Sequence, residues 1–193
     1  MKHHTSNKKI IFSLLTLAVI TFLVGLTFFS WRKVAKRDIG LYIVEDIARL
    51  AAIFERIDAT AGILGFDYQK NPINFLNIKK DGFVGSELGS MNLKYPDKWE
   101  GPYEYEMPRI QEEDYIIVRT KKGYFITPAD GVRLPNGKII GKDIILDEDA
   151  DIEHMMHDDQ LLSYQGMSLA AKIKIGMQPA TFQQSLGLPK EGA

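Results

Sequence analysis

Asp147-Glu148-Asp149-Ala150-Asp151-Ile152-Glu153 places carboxylates at alternate positions, the spacing at which oxygen-donor loops hold calcium. The pattern is incomplete, because the sixth place of such a loop takes glycine and here holds Ile152, while the twelfth takes glutamate and holds Asp158. An acidic entrance to a helix, favoured by the positive end of the helix dipole, accounts for the same residues. His154 and His157 stand one helical turn apart and could share a metal with Asp158, but a zinc centre needs a further ligand that the sequence does not supply. Ser86, Ser90, Ser163 and the four histidines form no nucleophile elbow. Gly82, Gly85 and Gly89 lack the flanking strand and helix of a dinucleotide fingerprint. Lys121 and Lys122 read as hairpin-turn residues. The chain is accordingly read as no enzyme, with no catalytic, cofactor-binding or metal residue assigned and calcium as the one cofactor candidate.

The elements around these residues are more informative. Ile10 to Trp31 is one apolar run without charge, IIFSLLTLAVITFLVGLTFFSW. Backbone amides in hydrocarbon must be paired within their own segment, so such a run predicts a transmembrane helix. It ends in Ser30, Trp31, Arg32 and Lys33, unlike the small-residue exit of a cleaved signal, which predicts a retained anchor. Lys2, Lys8 and Lys9 precede it and Arg32, Lys33, Lys36 and Arg37 follow, so flanking charge leaves the orientation open. Those seven are the only charged residues before Asp38; the rest of the chain carries 17 basic against 25 acidic residues, a net charge of minus 8. That balance argues against nucleic acid as a partner. With no cysteine there is neither a disulfide nor thiol chemistry.

Beyond the run, Ile43, Ile47, Leu50, Phe54, Ile57, Ala61 and Leu64 recur at steps of four and three, the spacing of one helix face. A helix break between Arg37 and Gly40 is compatible with this stripe, since glycine costs about 1 kcal/mol in a helix interior. The stripe is expected to pack on its own domain, with the outer faces of the helix open to neighbouring copies or related subunits. From Gly65 to Gln111 glycine, proline and asparagine are frequent, which predicts a long, largely irregular connection with a short helix around Pro72 to Leu76. Tyr115–Thr120, Tyr124–Thr127, Val132–Leu134 and Lys138–Leu146 are β-rich pieces separated by Lys122-Gly123, Asp130-Gly131 and Asn136-Gly137, a pattern that predicts an antiparallel meander. A short helix is expected from Ile152 to Tyr164, then a mobile tail from Gln178.

This order of elements, together with Lys98-Trp99-Glu100-Gly101-Pro102-Tyr103, resembles the type IV pilins and the major pseudopilins of type II secretion, whose Trp-x-Gly-Pro-Tyr segment leads into the sheet. The resemblance implies an α+β pilin-like fold, a long N-terminal transmembrane-plus-amphipathic helix packed on a small antiparallel β-sheet. Its expected parts are a cytoplasmic N-terminus (1–9), a transmembrane helix (10–31), an amphipathic extension (32–64), an exported α+β domain with a long loop and β-meander (65–177) and a flexible tail (178–193). It implies a membrane-anchored structural subunit of a type II secretion or pilus-like assembly. The chain would be single-pass in the inner (cytoplasmic) membrane, its C-terminal domain extracytoplasmic (periplasmic), with the membrane and related pilin-like subunits or secretion-system proteins as partners. The stretch Thr5-Ser6-Asn7-Lys8-Lys9-Ile10-Ile11 departs from the prepilin signal: it lacks the glycine before the span, and the span lacks the buried glutamate. A single-pass, membrane-tethered extracytoplasmic binding module is the other reading, with the 65–111 segment as its contact surface.

Overall fold

The computed structural model describes the backbone of residues 4–80 and 87–176, and within these the side chains other than those of 4–13, 31–33, 35 and 87–88. The tail expected from Gln178, and Gly82, Gly85 and Ser86, lie outside the described residues. Helix α1 (His4–Ala61) is 58 residues long, and the chain divides into two compact units, Met1–Asp38 and Ile39–Ala193.

In the first unit the expected transmembrane helix is corrected. Among the described residues no helix is long and apolar enough to cross a membrane. A span needs about 20 predominantly apolar residues in sequence, and the described side chains of this run are those of residues 14–30. Thr21 and Thr27 donate their hydroxyls back to the carbonyls of Leu17 and Leu23, at 2.9 and 2.8 Å.

The second unit is α+β and holds one core. Ile43, Ile47, Leu50, Phe54, Ile57 and Ala61 are all buried, because steps of three and four bring them to one side of α1. Gly40 is helical and does not break α1. A Cβ there would stand 3.2 Å from Tyr164 Cδ1 and 3.4 Å from Pro135 Cγ, so glycine lets other chain segments approach the helix closely. The helix stops at Ala61, where Gly62 takes φ +67°, a left-handed C-cap that only glycine adopts without strain. Leu64, expected on the helix face, belongs instead to strand β1 (Ile63–Phe66).

The connection expected to be irregular from Gly65 to Gln111 carries strands. These are β2 (Lys70–Pro72), β3 (Glu87–Leu88), β4 (Met91–Leu93) and β5 (Arg109–Ile110), with a 3-10 turn at Pro96–Lys98. No helix forms at Pro72 to Leu76: Asn71, Ile73 and Phe75 are buried while Pro72 and Asn74 are exposed, the period-two alternation of extended chain. Strands β1, β4 and β3 make one antiparallel sheet. The main sheet runs in the order β10 (Ala171–Ile173), β7 (Gly123–Pro128), β6 (Glu113–Thr120), β2, with β5 folded onto β6. Strands β6 and β7 pair from Tyr115↔Pro128 to Thr120↔Gly123, the hairpin that Lys122-Gly123 predicts.

The meander ends there. Residues 131–144 turn repeatedly and make only the isolated bridges Arg133↔Ile139 and Ile140↔Ile144, since Gly131, Gly137 and Gly141 all take positive φ. Helix α2 covers only Ile152–Met155; Asp158 accepts from the Gln160 amide at 2.8 Å, an Asx turn that competes with helix. Downstream lies the hairpin of β8 (Ser163–Tyr164) and β9 (Met167–Ser168).

Candidate functional site

The alternating carboxylates do not converge on a common point. Asp149 pairs with Lys121 at 2.5 Å, Asp151 with Lys122 at 2.5 Å and Glu153 with Lys172 at 2.7 Å. Asp147 accepts from the Asp149 amide. Lys121 and Lys122 lie at the β6–β7 turn, so turn residues serve as counter-ions to an acidic run some thirty positions away. The hydrogen bond to Asp149 raises the Lys121 ammonium above its ordinary range. Asp151 is held below the usual carboxylate range, first by Lys122 and then by the His154 amide it caps. No group of three histidines, aspartates or glutamates is placed to hold a metal ion among the described residues.

His154 and His157 both line an open cleft of about 490 Å³ whose walls also include Lys122, Asp151, Glu153 and Lys172. Each lysine there is matched by a carboxylate, which leaves the cleft near charge balance. Ser163 donates to Asp159 at 2.6 Å, and this bond lowers the Asp159 pKa. The Ser90 hydroxyl is buried with no hydrogen-bond partner among the described residues. The structure therefore brings neither serine to a histidine or lysine base.

The aromatic turn is a built feature. Trp99 is fully buried, donates Nε1 to the Ile78 carbonyl at 3.0 Å and meets Tyr103 edge-on with ring centroids 4.7 Å apart. A Cβ on Gly101 would lie 2.2 Å from the Ile78 carbonyl oxygen, so no other residue fits without movement; the Gly101–Pro102 bond is cis. Helix α1 holds this turn through Arg56–Glu100 at 3.0 Å, Arg49–Glu104 at 3.4 Å and the Arg56 guanidinium 5.4 Å from the Tyr103 ring centre. Tyr115 on β6 donates to Asp46 of α1 at 3.0 Å; burial, reinforced by that carboxylate, pushes its phenol far above the ordinary range. No sequence spacing announces the Tyr115–Asp46 or Lys122–Asp151 contacts, whose partners are far apart in the chain.

The first unit offers a surface of another kind. From Leu14 to Phe29 the large apolar side chains stay between 50% and 67% exposed. Leu14, Leu17, Ala18, Thr21, Phe22 and Gly25 line an open apolar groove of about 770 Å³. Nothing stands within 4 Å of where a Gly25 Cβ would be. Small residues between large ones form the furrow into which the ridge of a second helix packs. No family model, no characterised protein and no solved structure matches the chain.

Proposed function

We propose that this chain is a pilin-like structural subunit of a type II secretion or pilus-like assembly, whose function lies in packing rather than chemistry. The observation that carries the reading is the exposed apolar surface of Leu14 to Phe29. Burying one Leu, Ile or Phe side chain is worth about 1.5–3 kcal/mol, so a helix that presents this many is stable in water only when something covers it. A groove floored by Ala18, Thr21 and Gly25 suits a helix of a related subunit. The buried stripe from Ile43 to Ala61 supports the other half of the reading, in which the rest of α1 belongs to a self-contained domain that sets partner choice. In this reading the chain works at the inner (cytoplasmic) membrane with its C-terminal domain extracytoplasmic. A membrane crossing by α1 is not part of the proposal.

Isolation of the full chain from its native envelope in mild detergent should bring pilin-like subunits with it, whereas a chain begun at Ile39 should come alone. Recovery of the full chain alone under the same conditions would count against the assembly role.

A further inference from the structure

The turn at Asn136-Gly137 combines reactive chemistry with restraint. Leu134 donates to the Lys138 carbonyl at 2.8 Å and Gly137 donates to the Leu134 carbonyl at 2.8 Å, which closes a tight loop with Pro135 and Asn136 at its centre and Gly137 at φ +93°. An asparagine followed by glycine is the dipeptide most prone to lose its side-chain amide, because glycine leaves the next backbone nitrogen sterically open. Here the side chain is fully engaged. Its Nδ2 donates to the carbonyls of Asp159 at 3.1 Å and Leu161 at 2.8 Å, and its Oδ1 accepts from the Lys138 amide at 3.1 Å. Attack by the Gly137 nitrogen on the Asn136 side-chain carbonyl carbon requires that carbon to swing towards the backbone, which breaks these bonds and the Gly137–Leu134 bond.

We propose that Asn136 is a latent deamidation site, shielded while the 158–162 turn stays docked on it and converted irreversibly once that turn opens. In the reaction the Gly137 nitrogen loses its proton to water and bonds to the side-chain carbonyl carbon. The Nδ2 group leaves as ammonia, and water then opens the cyclic imide to aspartate or isoaspartate. Neither product can restore the dock, since a carboxylate has no hydrogen to donate to the Asp159 and Leu161 carbonyls and places negative charge beside both. The consequence reaches α1. Asp159 also accepts from Ser163 and from the Gly166 amide, and Tyr164 and Met167 of the same hairpin lie 3.2 and 3.6 Å from the Cβ position of Gly40. Conversion of Asn136 therefore loosens the hairpin that seats against the helix.

The test is peptide mapping of the full chain after incubation at mildly alkaline pH, folded and in unfolding urea, with aspartate and isoaspartate at position 136 resolved. Conversion should be at least about tenfold slower in the folded chain, the ratio that an opening free energy of about 1.4 kcal/mol gives. In parallel, Asn136→Asp should speed amide hydrogen exchange at Leu161, Leu162 and Ser163. Equal conversion rates in folded and unfolded chain would overturn the shielding, and unchanged exchange in Asn136→Asp would overturn the dock.

Discussion

Between Ile43 and Ala61, helix α1 places its apolar residues on one side and buries all of them, whereas between Leu14 and Phe29 the same helix is apolar around its whole circumference and leaves at least half of each large side chain exposed. The difference lies in periodicity rather than hydrophobicity. A stripe at steps of three and four can be satisfied by one sheet within the chain. A helix that is apolar on every side calls for surroundings, and the chain's own sheets belong to the other compact unit. One segment is thus a matter of folding, the proposed function makes the other a matter of assembly, and substitutions should separate the two.

The largest effects should fall on the buried side. Phe54→Ala removes a ring at the centre of contacts with Phe66 and Phe75, whose centroids lie 6.0 and 6.2 Å away, and should cost about 3–5 kcal/mol in denaturant unfolding. Phe22→Ala, at 67% exposure, should change the same measurement by less than about 0.5 kcal/mol. Trp99→Ala should match Phe54→Ala, and Trp99→Phe should lose about 1 kcal/mol because the partly buried Ile78 carbonyl keeps its place and loses its indole donor.

Glycine sharpens the contrast. Gly40→Val must displace Tyr164, Pro135 or Met167 and should cost about 1–3 kcal/mol by overpacking. Gly25→Ala meets nothing within 4 Å and should stabilise the helix by up to about 1 kcal/mol, while partly filling the groove and reducing co-isolation of partner subunits. Equal behaviour of the two glycine variants would erase the distinction between the segments.

How much of this the sequence disclosed follows from the range of each interaction. The buried stripe of α1 and the β6–β7 hairpin are local patterns of period and turn, and they were legible. The strands inside residues 65–111 were not, because two- and three-residue strands with glycine and proline nearby look like loop until a distant partner pairs with them, as Val118 does with Lys70. The acidic run was legible as acid and illegible as structure: Lys121, Lys122 and Lys172 reach it only through the fold. The transmembrane expectation rested on counting an apolar run from Ile10, whereas the described part of that helix carries no stretch long and apolar enough to cross.

The smallest predicted effect is on pH. Asp151 has a folded pKa below its ordinary value, so it contributes stability that is present above the unfolded carboxylate value of about 3.9 and is lost as pH falls towards the folded value. Amide exchange at His154 and Met155 should therefore be steady from neutrality down to about pH 5, apart from the intrinsic rate change, and lose protection below about pH 4. Added salt should weaken the effect, because the pair is exposed and screened.

The central claim, that one segment of α1 is for neighbours and the other for the domain, is open to a direct measurement because the chain has no cysteine. Single cysteines placed in turn at Leu14, Leu17, Ala18, Phe22 and Gly25, and at Ile47, Leu50 and Phe54, are oxidised in the native envelope and resolved by non-reducing electrophoresis. The account predicts covalent adducts with related subunits at positions lining the groove and none at the three buried positions. Monomer at every groove position, or adducts formed equally at Leu50 and Phe54, would contradict it.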